Sequence, residues 1–303
     1  MNNNKVHFIS YFIKIFTPII ALILLVSCES EIDIDTGDYI KKPVIEGYIE
    51  NGSNPWVIIT KNQYFFEEFK TNFSDTANLI NFLDFLILNA EVTVNDGYFT
   101  DTLKFEIDPE VLTGNFIYPP VKYTTKNIVG EVGKTYTLKV KIGDDIYTSS
   151  TTITEPFYPD SVWFQTIPDN DALGYIHALI TDDPNERNYY RYFTQRVGKD
   201  ITYIPGYMSI WDDSYFNGKQ FEVMVYRGFN PVLLSTDSEE SPEEALRFIK
   251  GDTVNFKIAT MDENSFRFWH TLGGLYTDNN IDGGALGVWC GYGATYIINF
   301  VCE

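Results

Sequence analysis

Acidic pairs are the first residues in this chain whose type and spacing could do chemistry: Asp182-Asp183, Asp212-Asp213, Glu239-Glu240 and Glu243-Glu244. Two carboxylates flanking a glycosidic bond can act as acid and base or as acid and nucleophile. Adjacent residues on a strand point to opposite faces, so no strand-borne pair can flank one bond. A glycoside hydrolase would need carboxylates brought in from distant segments. It stands as the alternative to a non-enzyme. A second pattern, Asp278-x-Asn280-x-Asp282-Gly283, puts oxygen ligands at alternate positions before a glycine, like the first half of a calcium loop. The bidentate glutamate of an EF-hand would fall at position 289, which is Trp289, and no second helix pattern follows. The competing reading is an Asx-rich loop whose short side chains bond their own backbone. Calcium is the one cofactor the pattern admits.

Other chemistry finds no support. Beyond the first segment only His177 and His270 remain, and neither has a neighbour at metal-ligand spacing. His177 reads as a strand or rim histidine, and His270 suits the end of a helix. The chain has no His-Glu-x-x-His, Cys-x-x-Cys, phosphate-binding glycine loop or Gly-x-Ser-x-Gly elbow.

Cys28 carries a different kind of reaction. An unbroken apolar run from Ile19 to Val26 precedes it, Lys5 and Lys14 lie upstream, and the first acid is Glu29. A positive start, a short apolar stretch and a small residue before the cut describe a secretory signal over residues 1–27. The run is too short to span a bilayer comfortably. Cysteine directly after Leu25-Val26-Ser27 resembles the bacterial lipobox, in which the thiol is diacylated and becomes the new N-terminus. Residues 28–42 then read as an acidic tether reaching up to about 45 Å from the lipid. The expected location is the outer membrane, anchored through Cys28. Acidic residues soon after that cysteine favour the cell surface, with the periplasmic face as the alternative.

Charge narrows the partner class. The chain carries 42 acidic against 22 basic residues, a net charge of -20. That field disfavours nucleic acid and anionic headgroups. Aromatics make up 16% of the sequence, which suits strands and amphipathic contact surfaces. Trp163, Tyr203, Tyr207, Trp211 and Tyr215 fall near predicted loops or strand ends and are candidate stacking rings for a glycan or peptide. Core packing is the competing role for each. Cys290 and Cys302 could lie up to about 40 Å apart on one extended strand, whereas a disulfide needs Cα atoms within about 7 Å. Two buried thiols are expected, with a bridge as the alternative.

The elements that must position these residues are mainly β. From Pro43 to Thr154 the hydrophobic period is two, with strands predicted over 44–50, 56–60, 90–94, 98–105, 136–142 and 146–153. Asn95-Asp96-Gly97 is a hairpin signal. This pattern predicts an immunoglobulin-like β-sandwich over 43–155. Ser74 to Leu88 interrupts it with an apolar insertion, read as helical or irregular. Two prolines in Glu155-Pro156-Phe157-Tyr158-Pro159-Asp160 mark a junction. A second β-rich domain follows over 160–303, with strands at 161–167, 173–181, 189–197, 221–227 and 253–260. Two short helices are expected there, one from the Ser241-Pro242-Glu243-Glu244 capping box to Gly251, the other capped by Asp262 and running through Leu272. Asn217-Gly218 reads as another hairpin turn. Gly287, Gly291 and Gly293 suggest bulges or a tight bend in the last strand.

Several of these segments resemble a family of Bacteroidetes lipoproteins known as domain of unknown function 4249 (DUF4249). The resemblance is carried by Val44-Ile45-Glu46-Gly47-Tyr48-Ile49, by Ala90 to Gly97 and by Gly133-Lys134-Thr135-Tyr136-Thr137-Leu138. More specific are Asp182-Asp183-Pro184-Asn185 with Asn188-Tyr189-Tyr190-Arg191, Asp212-Asp213-x-x-Phe216-Asn217-Gly218 and the terminal Gly284-x-Leu286-Gly287-x-x-x-Gly291-Tyr292. The resemblance implies an outer-membrane lipoprotein, often encoded beside TonB-dependent receptors, and supplies no catalytic residues. The expected function is therefore that of an accessory or binding lipoprotein working with such a transporter in nutrient capture. A free-standing surface glycan- or peptide-binding module is the alternative. Its partner or ligand surface would draw on Asp182, Asp183, Asn185, Tyr189, Tyr190, Trp211, Asp212 and Asp213. The competing role for these residues is turn building.

Overall fold

The computed structural model describes residues 41–62, 85–107, 121–168, 170–200, 202–228 and 244–303. The signal segment, Cys28, the tether up to residue 40, the start of the Ser241 helix and most of the Ser74–Leu88 insertion lie outside them.

Alternation of apolar and polar residues builds the first half. β1 (Pro43–Glu50) buries Ile45 and Ile49 on one face and pairs antiparallel with β2 (Trp56–Lys61). β3 (Glu91–Asn95) and β4 (Thr100–Ile107) form the hairpin that Asn95-Asp96-Gly97 predicts. There the Asp96 carboxylate accepts from the N–H groups of Tyr98 and Phe99, and Gly97 takes φ +95°. β5 (Val121–Thr124) pairs with β2 and β4. β6 (Thr135–Ile142) buries Tyr136, Leu138 and Val140 at every second position and turns into β7 (Asp145–Thr152).

Past the junction come β8 (Ser161–Ile167), β9 (Asn170–Thr181), β10 (Tyr189–Arg196), β11 (Ile204–Asp212) and β12 (Gln220–Val225). β13 (Phe248–Ile249), β14 (Thr253–Met261), α1 (Glu263–Thr271) and β15 (Leu286–Val301) complete the chain. Eleven strands form one sheet in the order β11-β10-β14-β15-β1-β2-β5-β4-β3-β6-β7. β8, β9, β12 and β13 make a second, small sheet. The fold class is mainly β and sandwich-like.

β15 ties the large sheet together. It runs parallel to β1 on one side and antiparallel to β14 on the other. Its glycines mark close approach, where bulges or a bend were expected. A Cβ on Gly287 would sit 1.9 Å from the Ile45 carbonyl oxygen, and one on Gly293 would sit 2.1 Å from that of Thr154. The register shift lies further along, where Asn299 at φ +55° donates its N–H to the Asn255 side chain. β7 also meets β15, because the Gly291 N–H donates to the Thr151 hydroxyl at 2.7 Å.

Buried side chains gather in four sets, the smallest being Ile58, Leu86 and Val121. The first draws on residues 45–153 together with Ile281, Ala285 and Trp289. The second lies between the two sheets and includes Ile176, Ala178, Tyr192, Phe248, Phe256 and Cys302. Burying each large apolar side chain contributes about 1.5–3 kcal/mol. The Pro156–Pro159 junction falls between these two sets, but β15 serves both, and residues 41–303 form one compact unit. The third set packs α1 against β10, β14 and β15.

Three local expectations are corrected. Among the described residues the helix expected to reach Gly251 appears only as a 3-10 turn, Glu244–Leu246, because Phe248–Ile249 extends to pair with β9. Asn217-Gly218 is no hairpin, since β12 pairs with β9 and β11 pairs with β10. β11 itself escapes the hydrophobic pattern because it contains Pro205 and Gly206, residues tolerated at a sheet edge. The Asp262 cap, in contrast, forms as expected. Its carboxylate accepts from the Ser265 N–H at 2.9 Å, and the helix runs to Thr271.

Candidate functional site

Six of the eight surface candidates meet at the start of β10 and the end of β11, where Tyr189 pairs with Asp212 and Tyr190 with Trp211. Asp182 is buried, accepts from the Tyr190 hydroxyl at 2.5 Å and accepts from the Gly218 N–H at 2.9 Å. Burial and the neighbouring Asp182 charge push the Tyr190 phenol well above its ordinary range. The Tyr190 ring stacks on Trp211 at 5.6 Å and meets Phe157 edge-on at 4.9 Å.

Asp213 is fully buried, and its carboxylate accepts from the Asn188 N–H at 2.8 Å. Arg187, absent from the sequence-based candidates, joins the two aspartates. Its Nη2 donates to Asp212 at 2.7 Å and also to the Ser214 hydroxyl, and its Nε lies 3.1 Å from Asp213 Oδ1. That last contact is a charge contact without hydrogen-bond geometry, so Asp213 Oδ1 has no donor. Burial pulls Asp212 upward, but bonds from Ser214 and the Arg187 charge outweigh it and hold the carboxyl below its ordinary range. Nothing in the sequence singles out Arg187 from the other cations between the two acidic pairs, Arg191, Arg196 and Lys199.

Asp183 and Asn185 form the expected turn: Asp183 Oδ1 accepts from both the Asn185 N–H and its side-chain amide. A cleft of about 200 Å³ opens beside the knot, lined by Glu155, Phe157, Asp183, Asn188, Tyr190 and Thr260 among others. It is a small, polar depression at the junction between the two halves.

A second constellation lies on β10. Arg191 is buried, and its Nη1 donates to the Tyr292 hydroxyl at 2.7 Å. Its guanidinium sits 3.6 Å over the Trp269 ring and 4.8 Å from the centroid of Phe193. Ring faces, in place of a carboxylate, supply the negative potential around this cation.

The Asp278 and Asn280 side chains of the calcium pattern bond to residues of other segments. Asn280 accepts from the Trp289 N–H at 2.9 Å and donates to its carbonyl at 2.8 Å, so both side-chain atoms are engaged. Asp278 accepts from Arg267 Nε at 3.0 Å, and the Asp282 backbone bridges Thr148 in both directions. Among the described residues no group of three or more His, Cys, Asp or Glu side chains is gathered for a metal ion. Cys290 and Cys302 are free and buried.

The stacking candidates separate. Trp211 is packed against Tyr190 and Tyr192, Tyr203 meets Tyr296 edge-on, and Tyr215 is almost fully exposed in the β11–β12 loop. Trp163 lies flat against His177 on the small sheet at 5.3 Å and 15°, and His177 Nδ1 is 2.6 Å from Glu222 Oε1. Tyr207 is about half exposed and meets Tyr226 edge-on.

A family model described as a domain of unknown function (DUF4249) matches residues 29–283. No curated protein matches the chain.

Proposed function

This chain belongs to the DUF4249 family, and on that premise we propose that it is a lipid-anchored accessory protein of a Bacteroidetes outer membrane. It works by contact with a TonB-dependent transporter and helps capture or admit that transporter's substrate, without breaking bonds. The observation that carries this reading is the order of parts along the chain. Cys28 follows Leu25-Val26-Ser27, an acidic stretch comes next, and the compact unit starts at Lys41. Diacylation at such a cysteine supplies more than one acyl chain, as stable anchoring requires. Confinement to a membrane plane raises the effective concentration of a docking partner.

The non-enzymatic part is supported by how the two aspartate pairs among the described residues are used; Glu239-Glu240 and Glu243 lie outside those residues. Asp182 takes bonds from Tyr190 and Gly218, Asp183 from Asn185, Asp212 from Arg187 and Ser214, and Asp213 from Asn188. Each carboxylate builds a turn or a strand end. The alternative of a surface glycan binder is favoured by one observation, the aromatic outer face of the small sheet.

Two measurements test the reading. Cys28→Ala should leave the protein unprocessed and shift it out of the washed membrane fraction. Mild-detergent pull-down from native outer membranes should bring down a TonB-dependent receptor. Unchanged fractionation would overturn the anchor, and repeated pull-downs without a receptor would overturn the partner.

A further inference from the structure

We propose that the outward face of the β8–β9–β12 sheet is a platform for a neutral glycan whose sugars carry equatorial hydroxyls, with Trp163 as its main stacking ring. This rests on the reading of the chain as a binding protein and names the class of ligand it takes.

The β9 sequence Leu173-Gly-Tyr-Ile-His-Ala-Leu-Ile180 is apolar or aromatic on both faces. A sheet with one wet face alternates, whereas a strand covered on both faces reads as a continuous apolar run. Ile176, Ala178 and Ile180 account for the inner face, where they are wholly buried in the second core. The outer face of β9 presents Tyr175, His177 and Leu179. Register puts Gln165 beside Tyr175 and Trp163 beside His177 on one side, and Met224 beside His177 on the other. Met224 is 41% exposed and Gln165 is exposed, Trp163, Tyr175 and Leu179 are partly exposed, and His177 is buried.

The rings on it are held in place before any ligand arrives. Trp163 lies flat on His177, and the imidazole is fixed by Glu222. Tyr175 meets Tyr226 edge-on at 5.2 Å, and the Tyr175 hydroxyl accepts from Arg247 Nε. Fixed rings lose little freedom on binding. Trp163 and Tyr175 are diagonal neighbours across the strand pair, with backbones about 7–8 Å apart, within reach of two adjoining sugars.

Polar groups are set among these rings. Gln165 is exposed, and the Glu222 side chain is about half exposed. Amide, carboxylate and guanidinium supply both donors and acceptors. A ligand matching this pattern has apolar faces and hydrogen-bonding edges. A pyranose with equatorial hydroxyls has both, because its C–H bonds point to the faces and its hydroxyls to the rim. The net charge of -20 selects against an acidic polysaccharide.

The test is affinity gel electrophoresis of the full-length protein in mild detergent, so that its outcome does not depend on membrane anchoring. The gels contain hydroxyethylcellulose, arabinoxylan or mixed-linkage β-glucan, with polygalacturonate as the anionic comparison. At least one neutral polymer should retard the protein, and polygalacturonate should not. Trp163→Ala should weaken the retardation at least tenfold, and Trp163→Phe should retain most of it. Gln165→Ala, at an exposed position, should weaken it a few-fold with an unchanged melting temperature and guards against misfolding of the tryptophan variant. Three outcomes would overturn the proposal: no retardation of the folded protein by any neutral polymer, retardation that neither alanine variant changes, or loss of a protein partner alone on Trp163→Ala. Failure here with intact Cys28-dependent fractionation would leave the anchor standing and remove the platform.

Discussion

Trp289, on the last strand, donates its indole N–H to the carbonyl oxygen of Tyr136 on β6 at 2.9 Å. The two residues are 153 positions apart, and both are fully buried. Gly47 on β1 makes room for the indole, since a Cβ there would lie 2.8 Å from Trp289 Cε3. A residue from the C-terminal end thus completes the core of the N-terminal half.

Removing that side chain should damage the whole unit. Trp289→Ala is expected to cost about 3–5 kcal/mol, and Gly47→Ala about 1–3 kcal/mol through overpacking against the indole. Urea denaturation followed by far-UV circular dichroism measures both. If Trp289→Ala lost less than 1 kcal/mol, the strand would not be holding the halves together.

The Tyr190–Asp182 bond predicts a separate cost. Both groups are buried, so Tyr190→Phe deprives the Asp182 carboxylate of one of its two donors. The expected loss is about 1–3 kcal/mol, read from the urea midpoint. Tyr215→Phe, at a hydroxyl on the open surface, should be neutral and serves as the control.

Acid should weaken the fold in a definite window. Asp96 is held below its ordinary value of 3.8 by the Phe99 and Tyr98 N–H groups, and Asp101 by the Thr125 hydroxyl against the pull of burial. Asp212 is lowered as well. A lowered value in the folded state means that the unfolded chain binds these protons first. The stabilisation is therefore present above the ordinary carboxylate range and is lost as pH falls through the lowered values. Melting temperature should drop from about pH 4 downward. Asp212→Asn should be less stable than the wild type at pH 7, and the gap should shrink by pH 2.

Burial pushes both remaining thiols up to about 12. In a Cys28→Ser background neither Cys290 nor Cys302 should react with Ellman's reagent at pH 8, and both should react in 6 M guanidinium. Fast labelling of the native protein would mean that the strand opens readily.

Much of the local structure was legible in the chain. Period-two runs marked β1, β2, β6 and β7, Asn95-Asp96-Gly97 marked a hairpin, and Asp262 marked a helix start. These signals are local: a turn needs a residue at positive φ, a cap needs a short acceptor, and a half-buried strand needs alternation. The motif pairs Asp182-Asp183 and Asp212-Asp213 were also visible, but Arg187 between them carried no periodicity to flag it. Pairings between distant segments had no such mark. Nothing local says that β15 lies beside β1, that its glycines admit a neighbouring backbone, or that β12 leaves β11 to join β9. Those choices depend on which buried faces fit together once the chain has collapsed, and only the tertiary structure could make them.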